Sequence, residues 1–316
     1  MSCGLVVDIP RTTTDGLPQR TPSLPSTAFL KLFDRRHAPR FRDDFCVQPY
    51  AQGMEEACVK FVQSGEADRF LSRLKTDSDL AEKEGGDWDD AECEAYLASE
   101  AMQLRNTEMA IYDVLKPLQG KQIPRVLSGV TLDIDPRSHA NVTASNGAGA
   151  VAVAASHPTP SSAEPNYVFH VHGLLLEYLE GFTMAELVKH APQSAWQNVV
   201  DQAVEIVRKL DEYNILNEDV RPENFMVVKT SQEQGGTKHH DCTSCAASGY
   251  HVYMIDLAMC RKRGEDESDS EWGRDKCDQD EEGAVGYVMR TILAREKFML
   301  DFVNSRQYRG FAKYET

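Results

Sequence analysis

The chain has 316 residues, 41% hydrophobic and 27% charged, so it can bury a sizeable core and is too apolar for a disordered tail. Its length fits two domains, or one unit of two lobes, at about 150 residues each. Lys and Arg number 34 against 50 Asp and Glu, and the net charge of -16 repels nucleic-acid backbones and anionic lipid, so neither nucleic acid nor membrane is expected as a partner. The eight cysteines are scattered without a disulfide framework, which fits a reducing compartment. No run approaches the roughly 18 apolar residues of a membrane span, and the start, MSCGLVVDIPRTTTDG, has neither a basic n-region nor an apolar h-region. An intracellular, cytoplasmic protein is expected.

Residues 1–26 are rich in Pro, Thr and Ser and read as a flexible terminus, after which TAFLKLFD (27–34) alternates apolar and polar residues as a half-buried strand does. Helical spacing governs 55–74, and the acidic stretch 76–92 reads as a solvated loop. Residues 95–115 hold no Pro or Gly and predict a helix that Pro117 and Gly120 stop. The stretch 131–166 is poor in large side chains and reads as a mobile low-complexity insertion. YVFHVHGLLLEYLEG (167–181) predicts one or two buried strands. Ser194 and Gln197 fit a capping box ahead of an apolar stripe from Trp196 to Leu210, predicting a long helix to about Tyr213. FMVVKT (225–230) and YHVYMIDL (250–257) look like the arms of a hairpin enlarged at its tip by an insertion, 231–249. A second acidic run, 264–282, reads as solvated loop before a final apolar helix, 283–300.

Chemistry concentrates between the long helix and the hairpin. In NILNEDVRPENFMVV, Asp219 and Asn224 are separated by four residues, and the second hairpin arm runs into Asp256. Phosphoryl transfer needs a carboxylate to orient the acceptor hydroxyl, plus an amide oxygen and a second carboxylate to hold the divalent cations that bridge nucleotide phosphates. Asp219, Asn224 and Asp256 can fill those roles. A D-x4-N pair alone is common; the order helix, loop, strand, strand, Asp is what makes it specific.

Those residues resemble the protein-kinase catalytic core. EDVRPENFMV stands where the catalytic loop R-D-L-K-P-E-N would be, and MIDLA stands at the D-F-G position. Upstream, AFLKLFD looks like the strand bearing the nucleotide lysine, TEMAIYDVL like the helix that supplies its ion-pair partner, and GLLLEYLEG like the hinge between lobes. LKLFDRRHAPRFRDD and ILNEDVRPENF are similar to stretches of the kinase-like proteins of filamentous fungi. The resemblance runs from Lys31 to Met289 and implies an α+β, bilobal protein-kinase-like fold. Its small sheet-containing N-lobe would cover 27–179, its hinge 176–180, and its mainly helical, shortened C-lobe 181–316 with the catalytic loop at 217–224. ATP and Mg2+ would be the cofactors. The resemblance implies Asp219 as catalytic base, with Arg221 in place of the usual lysine as a forked donor to the transferred phosphate. It implies Asn224 and Asp256 as metal ligands, Lys31 on the phosphates, and Glu108 pairing with Lys31. Backbone groups of Glu177 and Leu179 would meet the adenine edge, with Leu176 behind it.

Each landmark has a plainer reading. Lys31 can be a surface strand lysine, Glu108 a solvated helix charge, and the hinge a simple buried strand. The sequence also departs from the family pattern: Asn217 and Glu218 replace the usual H-R, which removes the arginine that reads a phosphorylated activation loop, and no G-x-G-x-x-G precedes Lys31. Only 60 residues follow Asp256, without an A-P-E segment, which resembles small-molecule phosphotransferases more than a full protein-substrate platform. Two functions are therefore expected in competition: an ATP- and Mg-dependent phosphotransferase acting on an unidentified hydroxyl acceptor, protein or small molecule, and a pseudokinase that binds or scaffolds without turnover. His239, His240, Cys242 and Cys245 offer four zinc donors within seven residues at the hairpin tip, set against a flexible exposed insertion.

Overall fold

A computed structural model describes residues 2–9, 25–77, 79–133, 170–230 and 249–312. Helices and strands are mixed, and the described sheets are antiparallel. The chain divides into two compact units: Met1–Asn106 with Val126–Glu177, and Thr107–Arg125 with Tyr178–Thr316.

The first unit is built on a four-stranded sheet of β1 (Cys3–Asp8), β2 (Thr27–Phe33), β3 (Val126–Asp133) and β4 (His170–Glu177), ordered β1-β2-β4-β3. Because side chains alternate along a strand, register sorts them onto two faces. Leu32, Val130 and Val171 cluster on one, packed by Cys3, Leu30, Leu132 and Leu175. Lys31 pairs with Leu174 and Phe29 with Leu176, so these four share the other. Gly173 sits where a Cβ would lie 2.5 Å from the Lys31 carbonyl oxygen, so any larger residue would push β4 off β2 at the lysine.

Four short helices follow β2: α1 (Pro39–Asp44), α2 (Gln52–Gln63), α3 (Glu66–Thr76) and α4 (Leu80–Glu84). They lead into α5 (Asp90–Val114), a 25-residue helix that runs on into the second unit. Cys58, Val62, Ala67 and Ala95 form a local core there. Beneath it, fully buried Glu94 accepts from Arg35 Nη1 at 2.6 Å and pairs with Arg42 Nη2 at 2.6 Å, tying the chain after β2 to α5.

In the second unit, β5 (Gly181–Thr183) and α6 (Leu187–His190) precede α7 (Gln193–Glu212), whose buried face runs Ala195, Trp196, Val199, Val200, Ala203, Val204, Ile206, Val207, Leu210. Strand β6 (Ile215–Asn217) pairs with β9 (Cys260–Lys262), while β7 (Phe225–Lys229) and β8 (Tyr250–Met254) pair as the expected hairpin arms and join β5 in a second sheet. Helices α8 (Asp269–Gln279) and α9 (Glu281–Ala294) complete the unit.

Several expectations are corrected. The terminus 1–26 includes strand β1, and the presumed insertion at 131–166 begins inside β3. The acidic stretch 76–92 contains α4 and the start of α5, and the run 264–282 is largely helix α8 and the first turn of α9, because acidic residues at a helix N-terminus complement its dipole. Helix α9 ends at Ala294 rather than 300. Pro192, not Ser194, precedes α7, and no side chain caps it. Gln197 instead donates to the Asp301 carbonyl at 2.8 Å and accepts from its N–H at 2.9 Å, pinning the later chain to α7. The rest of the 131–166 stretch from 134 onward, most of 231–249, and with it His239, His240, Cys242 and Cys245, lie outside the described residues. No described helix is long and apolar enough to cross a membrane.

Candidate active site

The loop after β6 is organised by its own side chains. Asn217 Oδ1 accepts from the Asp219 N–H at 2.9 Å, and Asn224 Nδ2 donates to the Asp219 carbonyl at 2.9 Å and to its Oδ2 at 3.0 Å. Pro222 opens a one-turn 3-10 helix ending at Asn224, where its fixed φ and missing N–H suit the first position. Arg221 Nη2 lies 3.1 Å from the same Asp219 Oδ2. One carboxylate oxygen thus takes both an amide and a guanidinium.

Backbone pairing brings Asp256 to this loop. The hairpin register ends at Phe225 opposite Met254, and one more bond, from the Ile255 N–H to the Asn224 carbonyl at 2.8 Å, carries the pairing past the strands. Asp256 follows directly at φ +60°, a conformation few non-glycine residues adopt and one that clusters at ligand-holding positions. Its neighbour Leu257 donates its N–H to Glu108 Oε1 at 3.3 Å. Glu108 is completely buried, so it is no solvated helix charge. Burial first, then the charges of Glu108 and Asp256, push the Tyr112 phenol well above its ordinary value. The second unit therefore gathers Glu108, Asp219, Arg221, Asn224 and Asp256, with partly buried Leu179 at its start.

Lys31, Leu176 and Glu177 belong to the first unit. Lys31 is 6% exposed, with Nζ 5.2 Å from the Phe33 ring centroid, which removes the surface-lysine alternative. A buried ammonium requires anionic or aromatic company. Leu176 is buried on the same face, and Glu177 ends the strand half-exposed.

The donor set suits magnesium, a hard cation that takes oxygen ligands and commonly completes its shell with phosphates and water. With Asn224 Nδ2 directed at Asp219, the amide oxygen on the other side of the same carbon is the atom a cation would use, and Asp256 supplies a carboxylate. Among the described residues, no three His, Cys, Asp or Glu side chains gather as a self-sufficient metal site. Sequence reasoning missed Lys276 and Glu281. Both are buried, and Glu281 Oε1 accepts from the Asn217 N–H at 2.8 Å. Their acidic surroundings hid them, since GEDESDSEWGRDKCDQDEE reads as solvent-facing. No protein-family model matches the chain, and no curated protein does either.

Proposed function

We propose that the chain is a bilobal, protein-kinase-like phosphotransferase that moves a phosphoryl group from Mg-ATP to a hydroxyl acceptor. The observation that carries this reading is the bonded Asp219–Asn224 pair with Asp256 delivered beside it by the hairpin register. Asp219 orients the acceptor hydroxyl and receives its proton. Asn224 and Asp256 hold the cation, Lys31 neutralises phosphate oxygens, and Arg221, ion-paired with Asp219, is a forked donor to the transferred phosphate. Magnesium, when bound, neutralises the charge that develops on the phosphate oxygens. In-line transfer depends mainly on such positioning and charge. Burial of Lys31 on the sheet face it shares with Leu174 and Leu176 supports its assignment to the phosphates rather than to solvent.

Purified protein with Mg-ATP is expected to bind nucleotide and to hydrolyse or transfer its terminal phosphate; absence of both ends this reading. The second reading, a pseudokinase, is favoured by the engagement of Asp219 Oδ2 with both Arg221 and Asn224 and by the absence of a G-x-G-x-x-G before Lys31. Nucleotide binding without turnover would support it.

A further inference from the structure

Strand β6 leads directly into the Asp219 loop, and in its two-stranded sheet it has β9 along one edge only. Asn214 and Glu218 bond toward the β9 side, through the Arg263 N–H to Asn214 carbonyl bond and the Glu218 N–H to Met259 carbonyl bond. Ile215 and Asn217 therefore direct their backbone groups to the opposite edge. Two side chains meet them there. Lys276 Nζ donates to the Ile215 carbonyl at 2.7 Å, and Glu281 Oε1 accepts from the Asn217 N–H at 2.8 Å. Lys276 is ion-paired with Glu281 and also with Asp211.

A donor and an acceptor two residues apart are what a neighbouring strand would offer. We infer that Lys276 and Glu281 act as a side-chain substitute for a second strand and are positioning residues, aiming the Asp219 loop through Asn217. The chain of bonds is short. Glu281 fixes the Asn217 N–H, Asn217 Oδ1 fixes the Asp219 N–H, and Asn217 Nδ2 lies 3.5 Å from Met254 Sδ on β8, the strand that leads to Asp256. Both ends of the proposed site thus depend on the orientation of one amide side chain. A buried ion pair adds little net stability over apolar residues of the same volume, so its value here lies in the direction it gives. It borders a cavity of about 390 Å³, lined also by Asp211, Asp280 and Tyr308, so apolar side chains can replace it without overpacking.

The kinetic part of this inference rests on the phosphotransferase reading; the structural part does not. Two double variants differ chiefly in whether an oxygen remains for the Asn217 N–H: Lys276→Met with Glu281→Leu, and Lys276→Met with Glu281→Gln. In the leucine variant, amide exchange at Asn217 and Asp219 should accelerate at least about tenfold while α7 stays protected. Its kcat should fall about 100-fold at an unchanged KM for ATP, the signature of a misaimed but intact site. The glutamine variant should rescue both readouts. If both variants behave alike, or neither folds, the pair is structural and the inference is overturned. If the unsubstituted protein binds no nucleotide and turns none over, exchange alone decides this point, and the function fails separately.

Discussion

At Asp219 one carboxylate oxygen faces two donors, Asn224 Nδ2 at 3.0 Å and Arg221 Nη2 at 3.1 Å. Replacing the carboxylate by the isosteric amide preserves shape and removes the proton acceptor. Asp219→Asn should therefore lower phosphoryl transfer by about 10²–10⁴-fold, with the thermal unfolding curve little changed because the side chain is a quarter exposed. Coupled ATP turnover and a melt on the same sample check both halves. Glu94 presents the opposite case, a residue with a structural duty and no proposed chemistry. Glu94→Ala would leave Arg35 and Arg42 buried without their shared carboxylate, and should cost about 3–5 kcal/mol in urea unfolding. The loop residues were legible in the sequence because the D-x4-N spacing and the hairpin pattern are local. Burial of Lys31 and Glu108 was not, since it depends on residues brought from far along the chain: nothing within TEMAIYDVL distinguishes a carboxylate held by the Leu257 N–H from one in water.

Among the elements, those with strong periodicity were readable. The stripe from Trp196 to Leu210 specified α7, and the alternation in TAFLKLF specified β2. Edge strands β1 and β3 escaped because each is flanked by low-complexity sequence, and Leu5 and Val6 of β1 are more than half exposed, so the strand shows no inward-facing pattern. Capping signals misled in an instructive way. The S-x-x-Q at Ser194 is idle, while S-x-x-E at Ser268 is a complete capping box, with the Ser268 side chain accepting from the Glu271 N–H at 3.2 Å and the Glu271 carboxylate accepting from the Ser268 N–H at 3.0 Å. Motif and charge run overlap there, and charge dominated the reading. Because this cap starts the helix that carries Lys276, Ser268→Ala should destabilise the protein by about 1 kcal/mol in thermal unfolding. Exchange should rise first in the opening turn of α8. A melt and an exchange pattern identical to the parent's would count against the cap.

For the molecule as a whole, net charge and pH enter through the few groups that fold into places water does not reach. Glu281 is one of them. Burial pushes its carboxyl up from the ordinary 4.5 to about 7, although Lys276 and the Asn217 N–H pull in the other direction. Between those two values the folded protein binds more protons than the unfolded chain, so this group's contribution favours folding below about 4.5 and is lost as pH rises through about 7. Within that window it should give a slope of up to about 1.4 kcal/mol per pH unit, reduced by its coupling to Lys276. Burial lowers the His172 pKa to about 4, which adds an opposing, rising slope below about 6.5 to parent and variant alike. Unfolding by urea at intervals from pH 5 to 8 should therefore show the stability of the parent falling relative to that of Glu281→Gln, which cannot ionise. A difference between the two that stays flat with pH would mean that Glu281 is charged in the fold at all these values, held by Lys276 as a permanent pair.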